Sequence, residues 1–167
     1  MDNQLVLGID PGLNVTGLGI IKIADAKNPQ LYMYGQIRTS AKKSLADRIF
    51  KIFSELNELL CEHKPGIVVI ENIFYAENVK TAITMGHARG AAMAAAVYNK
   101  AAVKEYSPRE IKMSVVGNGA ATKAQVKYMV QNILAVREDI QPDDASDALA
   151  AALCCWHRSK NERLGIK

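Results

Sequence analysis

Residues 5–12 read LVLGIDPG and residues 67–71 read IVVIE, and the predicted fold follows from these two strands. Each is a short apolar run that ends in a carboxylate, Asp10 in the first and Glu71 in the second. The Pro-Gly pair after Asp10 predicts a turn that ends the first run. A continuous apolar run such as 67–71 is typical of a strand buried on both faces, next to parallel neighbours.

The remaining elements follow outward from these two strands. Two β-like runs at 17–23 and 31–39, with a break predicted at Asn28-Pro29, indicate an antiparallel meander with the first strand. Apolar residues at helical spacing follow from Leu45, with Ser44 as the expected N-cap. We therefore predict one α/β domain over 1–158 and a polar, frayed tail over 159–167. The further predicted elements are a strand at 103–106 and helices at 79–99, 108–116, 123–135 and 144–158.

Length, charge and hydropathy exclude several classes of protein. The chain has 167 residues, with 21 Lys and Arg against 17 Asp and Glu, so its formal charge is +4. With 49% hydrophobic residues, it has enough apolar sequence for a core, which excludes wholesale disorder. The beginning of the sequence has no secretory signal pattern, and the most apolar stretch, 81–97, contains His87 and Arg89. We expect a soluble, cytoplasmic protein with no membrane partner.

A third group of acids accompanies the two carboxylates at the strand ends. Asp143, Asp144 and Asp147 lie at the start of the last predicted helix, and the last two share a face of that helix. Carboxylates that converge on one point repel one another, and a cation offsets that repulsion. Hard oxygen ligands suit Mg²⁺. Each acid alone is also explained as a helix cap or a turn residue, but the three groups together favour a metal site.

Several motifs, taken in chain order, resemble the RuvC-type Holliday-junction resolvases. The resemblance extends from Leu5 to about His157, and the order and spacing of the motifs make it specific. Its residues are Gly8-Ile-Asp-Pro-Gly12, Thr16-Gly17, Ile70-Glu71 with Phe74, Gly86-His-Ala-Arg-Gly90, Val115-Val-Gly117-x-Gly119 with Lys123, and Asp144-Ala-Ser-Asp147-Ala-Leu-Ala.

The resemblance implies a ribonuclease-H-like fold, with a mixed five-stranded sheet of three antiparallel and then parallel strands flanked by helices. It implies a Mg²⁺-dependent endodeoxyribonuclease, a homodimer that makes paired symmetric nicks in four-way DNA junctions during recombination and repair. Two Mg²⁺ ions per site are expected, with Mn²⁺ as a substitute, and a RuvA-RuvB-type branch-migration motor as a partner. The implied catalytic and metal-binding carboxylates are Asp10, Glu71, Asp144 and Asp147, with Asp143 as a helix cap.

The resemblance and the charge distribution also indicate residues that would contact DNA. Residues 78–137 contain nine Lys or Arg and two acids, a segment charge of +7, although scattered lysines are commonly only a solvated face. Lys112 and Lys123 match basic positions beside the family's active site, and Lys123 would also assist catalysis. An aromatic side chain after Glu71 suits stacking on junction bases. The expected DNA contacts are Phe74, Arg89, Lys112, Gly117, Gly119 and Lys123.

Three other classes of protein share part of this pattern. Actin-like ATPases have a similar first motif but need two such domains to enclose a nucleotide, and 167 residues are too few. A small nuclease relative that acts in RNA or ribosome maturation stays open as the enzyme alternative. A non-catalytic junction-binding module is disfavoured, because a binder of phosphates has no need for four acids facing them.

Overall fold

The computed structural model describes residues 4–25, 28–72 and 79–163. Within them a single five-stranded sheet has the strand order β3-β2-β1-β4-β5, and five helices flank it. None of these helices is both long and apolar enough to cross a membrane. The elements are β1 (Gln4–Asp10), β2 (Val15–Asp25), β3 (Asn28–Arg38), α1 (Leu45–His63), β4 (Ile67–Glu71), α2 (Val79–Tyr98), β5 (Ala102–Tyr106), α3 (Pro108–Val116), α4 (Lys123–Ile133) and α5 (Asp143–Arg163).

The sheet is mixed, as predicted. β1, β2 and β3 form an antiparallel meander, whereas β4 pairs in parallel with both β1 and β5. Val68, Val69 and Ile70 of β4 are fully buried, because helices cover both faces of the sheet. α1 and α2 pack on one face, and α3, α4 and α5 enclose a second core on the other.

Local capping explains where the helices on both faces begin. Ser44 Oγ accepts a hydrogen bond from the Asp47 amide at 3.1 Å, which confirms the predicted start of α1. A full capping box formed by Ser107 and Glu110 begins α3, and Thr122 begins α4 in the same way. These side chains satisfy amide groups that the first turn of a helix leaves without backbone partners.

Two boundary predictions were wrong. The expected break at Asn28-Pro29 is absent, since β3 begins at Asn28 and Pro29 pairs with Ile23. β3 lies at the edge of the sheet, where a proline at the start of a strand is tolerated. α5 also continues to Arg163 instead of ending at Arg158. The Arg158 guanidinium, at the predicted end of the helix, is paired with Glu110 at 2.8 Å, and Lys160 beyond it lies 5.3 Å from the centre of the Trp156 ring.

Candidate active site

Asp10 and Glu71 lie side by side at one edge of the sheet. Ile9 of β1 pairs with Ile70 of β4, and each acid is the next residue of its strand. The two strands are parallel, so their carboxyl ends meet at the same edge. The loop after Asp10 is held by Thr16, a fully buried residue whose hydroxyl donates to the Gly12 carbonyl at 2.8 Å.

Glycines in β1 and β2 allow α5 to approach this edge closely. A Cβ built on Gly17 would overlap the Asp144 carbonyl, and one on Gly8 would lie 2.9 Å from the Ala152 amide nitrogen. Gly17 is also the cross-strand partner of Asp10. Only a residue without a side chain permits this contact between helix and sheet backbones. The first turn of α5 is therefore held beside the carboxylate of β1.

The acids from three elements line one cavity of about 330 Å³. α3 and α4 supply its basic residues, Lys112 and Lys123, and α2 supplies Met85. The cavity thus combines a carboxylate wall with an apolar and basic wall. Its lining is Asp10, Glu71, Met85, Pro108, Ile111, Lys112, Lys123, Val126, Asp147 and Ala150.

Burial and mutual repulsion make Asp10 and Glu71 unusually weak acids in the protein without bound cations. Burial, followed by the negative charge of Asp147, raises the pKa of Asp10 to about 6. Burial, followed by the charge of Asp10, raises the pKa of Glu71 to about 7. The positive charge of Lys123 opposes both shifts without cancelling them. A cation that binds beside these two carboxylates would therefore be stabilised by their negative charge.

The Lys123 ammonium supplies part of that positive charge. Its Nζ lies 2.6 Å from Asp147 Oδ2, and the pair joins the first turn of α4 to the first turns of α5. The Lys123 side chain is 77% exposed, so its amine lies at the solvent side of the cavity. There it is available both to the carboxylates and to an anionic ligand that enters the cavity.

The donor atoms present fit a hard divalent cation. All the candidate ligands are carboxylate oxygens, which Mg²⁺ prefers, and the raised pKa values of Asp10 and Glu71 show that the negative charge there is undercompensated. Within residues 4–25, 28–72 and 79–163, no three His, Cys, Asp or Glu side chains are close enough together to hold one ion. Binding would therefore require the carboxylates to draw together.

The neighbouring acids Asp143 and Asp144 have different surroundings. Asp143 is paired with Lys127 at 2.9 Å, and its side chain is 72% exposed. Asp144 has its backbone against Gly17, and its charge contributes to the raised pKa of Asp10. Asp144 does not line the 330 Å³ cavity, although it is the acid of the pair whose charge acts on Asp10.

The predicted DNA-contacting residues are divided among three locations. Lys112 and Lys123 line the cavity with the acids. Gly117 ends α3 in the left-handed conformation at φ 81°, in the loop that also contains Gly119. Arg89 forms an ion pair with Glu105 of β5, and its buried Nε has no hydrogen-bond partner in the part of the chain that the structure describes. The predicted contact at Phe74 lies outside the described residues.

Glycines of β1 and β2 position α5 against the sheet, a role that the sequence motifs alone did not predict. Gly17 is part of the family-like motif, but motif matching alone does not say that it contacts the backbone of α5. Gly8 also faces the backbone of α5, at the Ala148 carbonyl, whereas a Cβ on Gly19 would overlap the Leu149 side chain of the same helix. Glycines that recur inside apolar strand runs were the available signal, because glycine in a strand often marks a close approach of another backbone.

A mixed sheet of this order, flanked by helices and with carboxylates at the ends of its adjacent central strands, defines a ribonuclease-H-like nuclease. The family model described as "Crossover junction endodeoxyribonuclease RuvC" matches residues 6–155. The chain therefore belongs to the RuvC family of crossover junction endodeoxyribonucleases, and the predicted class of enzyme, a phosphodiester hydrolase acting on DNA, is confirmed.

Individual relatives agree with this assignment. The RuvC of Heliobacterium modesticaldum is 42% identical over 92% of this chain and 94% of its own, and that of Halorhodospira halophila is 46% identical over 92% and 91%. A solved structure of T. thermophilus RuvC in complex with Holliday junction substrate matches with a TM-score of 0.84 at 29% identity, covering 97% of this chain and 96% of that one. The yeast mitochondrial Holliday junction resolvase Ydc2 shares the fold, with a TM-score of 0.64 at 15% identity over 98% of this chain and 85% of its own.

Proposed function

We propose that this protein resolves four-way DNA junctions by paired symmetric nicks, in homologous recombination and DNA repair. The observation that carries the proposal is the single cavity in which Asp10, Glu71 and Asp147 face Lys112 and Lys123. Such a cavity has acids to hold cations and lysines to hold phosphates, as phosphodiester hydrolysis requires. The similarity to a RuvC solved with a junction substrate supports the choice of DNA structure.

Dependence on divalent metal follows from membership of the family. We propose Mg²⁺ as the ion, two per site and replaceable by Mn²⁺, held by Asp10, Glu71, Asp144 and Asp147. Held by these carboxylates, the ions would supply Lewis acidity to the attacking water and to the leaving oxygen. The four carboxylates would supply the negative charge of the ligand set. Asp10 ends β1, which lies between β2 and β4 in the sheet.

The lysines act on the DNA side of the cavity. Lys112 would hold a backbone phosphate, and the exposed Lys123 ammonium would move from Asp147 to the phosphate as negative charge develops there. Phe74 would stack on bases at the junction centre, an interaction worth about 1–3 kcal/mol per base. Gly117 and Gly119 would meet the DNA backbone, with Arg89 as a further contact.

An exposed apolar stripe on α2 supports the proposal of a homodimer. Val79, Ile83 and Val97 are exposed by 74%, 56% and 66%, and they lie on the same face of the helix as Gly86 and Gly90. A Cβ at either glycine would meet nothing within 4 Å, so these glycines do not serve contact with the sheet. A two-fold axis through this stripe would relate two active sites, which suits two symmetric nicks.

Variants of α2 test the dimer. Ile83→Glu should shift the protein from dimer to monomer in sedimentation equilibrium, because it places a charge in the proposed interface. Phe50→Glu is the matched control, since Phe50 is 68% exposed on α1. Dimers of unchanged stability with Ile83→Glu would contradict the α2 interface. Two further proposals, a RuvA-RuvB-type motor as a partner and a cytoplasmic location, rest on the family resemblance.

Cleavage assays with carboxylate variants test the function itself. In Mg²⁺, the protein should cut a synthetic mobile four-way junction in preference to linear duplex and RNA–DNA hybrid, and Ca²⁺ should support binding without cleavage. Asp10→Asn and Asp144→Asn should bind the junction but lose cleavage. The control is Asp143→Asn, which should still cleave, because Asp143 is paired with Lys127 outside the cavity. Preferred cutting of the hybrid would instead favour a role in RNA processing.

A further inference from the structure

A second and larger cavity, of about 550 Å³, lies between α3 and the end of α5. It is separated from the catalytic cavity by α3 itself. Pro108, Ile111 and Lys112 of that helix line the catalytic cavity, whereas Arg109 and Ser114 line the second one. The full lining of the second cavity is Ser107, Arg109, Glu110, Met113, Ser114, His157 and Arg158.

One arginine of this cavity is held in position by its neighbours. The Arg158 Nη2 lies 2.8 Å from Glu110 Oε1, and the guanidinium lies 5.0 Å from the centre of the Tyr106 ring. Glu110 is in turn fixed, because its Oε2 accepts from the amide and the hydroxyl of Ser107, both at 2.8 Å. These bonds lower the pKa of Glu110, so it stays ionised at neutral pH. The single acid of the lining is thus already engaged.

The guanidinium of the other arginine, Arg109, has no ion-pair partner within residues 4–25, 28–72 and 79–163. Arg109 is exposed, and no described residue places a carboxylate within 4 Å of its nitrogens. Its aliphatic stem is in contact with Gly119, since a Cβ there would lie 2.8 Å from Arg109 Cγ. A planar guanidinium with no carboxylate partner is suited to bidentate contact with a phosphate.

Neutral polar groups complete the lining. His157 Nδ1 and Ser114 Oγ lie 3.3 Å apart, and burial lowers the pKa of His157. The imidazole is therefore neutral at pH 7, with one ring nitrogen a donor and the other an acceptor. With two guanidiniums, one imidazole and one engaged carboxylate, the cavity has a net charge of +1 and more hydrogen-bond donors than acceptors.

We propose that this cavity binds a backbone phosphate of the DNA, on the far side of α3 from the cut. The inference rests on the proposed function, because it takes the ligand of the catalytic cavity to be DNA. A helix is about 10 Å across with its side chains, and neighbouring nucleotides rise about 3.4 Å along a strand, so the cavity lies about three nucleotides from the cut. Arg109 is the main contact, and Arg158 and His157 flank it.

Salt-dependent binding of an Arg109 variant tests the site. In Ca²⁺, Arg109→Gln should weaken junction binding several-fold and reduce the slope of log K against log salt by about 0.9 for each phosphate that the protein no longer neutralises. Lys51→Gln is the matched control, with the same change in charge on α1, across the sheet. It should change neither quantity. Unchanged affinity and slope for Arg109→Gln would overturn the proposal.

Single methylphosphonate substitutions locate the phosphate. Junctions neutralised at one phosphate at a time, up to five nucleotides from the cut, should include one position that weakens binding of the wild-type protein but not of Arg109→Gln. If the methylphosphonate and Arg109→Gln weaken junction binding additively at every position, the proposal is overturned. The proposal would also be overturned if Arg109→Gln bound inorganic phosphate or free nucleotides more weakly than wild type but bound DNA with unchanged affinity.

These results are separable from failure of the proposed function. Wild-type protein that cuts four-way junctions, together with unaltered DNA binding by Arg109→Gln, would reject the second site alone. Wild-type protein that cuts only RNA–DNA hybrid would reject the junction substrate. In that case the methylphosphonate series is run on the hybrid's DNA strand, and loss of the position-specific effect in Arg109→Gln still supports the phosphate site.

Discussion

Gly17 of β2 and Asp144 of α5 are in contact through their backbones, and a Cβ on the glycine would overlap the Asp144 carbonyl. Gly17 is at the same time the cross-strand partner of Asp10. Gly17 therefore sets the distance between Asp10, at the end of β1, and Asp144, in the first turn of α5. The distance across the proposed metal site depends on the absence of a side chain at Gly17.

Gly17→Ala should disrupt catalysis and stability together. The added methyl group must move α5 away from β2, which costs about 1–3 kcal/mol of unfolding free energy and separates the acids. We expect cleavage of a four-way junction in Mg²⁺ to fall at least tenfold. The control is Gly35→Ala in β3, where a Cβ would meet nothing within 4 Å and both activity and stability should be nearly unchanged. A fully active Gly17→Ala would show that the close approach of the two backbones is dispensable.

Lys123→Ala should lower cleavage about a hundredfold while junction affinity in Ca²⁺ falls much less. The expected loss reflects the charge that its ammonium would place near the transition state, as its 2.6 Å pairing with Asp147 suggests. Lys127→Ala is the matched control one turn further along α4, since Lys127 is paired with Asp139 and Asp143. Single-turnover rates separate chemistry from binding. Equal losses in both variants would argue against a specific role for Lys123.

The stability of the metal-free protein should fall as pH rises from about 4 to about 7. Asp10 and Glu71 have pKa values of about 6 and about 7 in the folded protein, above their ordinary values of 3.8 and 4.5. In this window the folded state binds more protons than the unfolded state, so rising pH favours unfolding. Thermal unfolding in EDTA across this range measures the effect, and Mg²⁺ should reduce it at pH 7–8.

The substitution Asp10→Asn tests how much Asp10 contributes to this pH dependence of stability. At pH 8 in EDTA it should be more stable than wild type by about 1–3 kcal/mol, because the buried charge of Asp10 is removed. At pH 4 the two proteins should unfold at similar temperatures. If Asp10→Asn is less stable than wild type at pH 8, the ionised Asp10 carboxylate does not destabilise the folded protein.

Ser146→Ala should leave stability unchanged or raise it by up to about 1 kcal/mol. Ser146 is 2% exposed, and its hydroxyl has no hydrogen-bond partner among the described residues, so the alanine variant removes a desolvated polar group without leaving another unsatisfied. The contrasting variant is Thr16→Val, which should cost about 1–3 kcal/mol, because Thr16 is equally buried but donates to Gly12 at 2.8 Å. Chemical denaturation compares both variants with wild type.

Local sequence was sufficient for much of this architecture. The apolar run at 67–71 is buried as a parallel strand, and Ser44 begins α1, because burial of a continuous apolar run and capping both act over a few residues. Pro29 and the end of α5 were predicted wrongly. Pro29 is accommodated within a strand because β3 lies at the edge of the sheet, and that position is not a local property of the sequence.

Which acids end strands and which begin the last helix follows from local patterns, because each acid lies at the boundary of an apolar or helical run. Which of these acids lie close together depends on long-range packing. Strand register brings Asp10 beside Glu71, and packing of α4 on α5 brings Lys123 to Asp147, 24 residues away. Residues so far apart in sequence are brought together because the chain buries two hydrophobic cores, one on each face of the sheet. The free energy of that burial depends on the whole fold and cannot be read from a short sequence pattern.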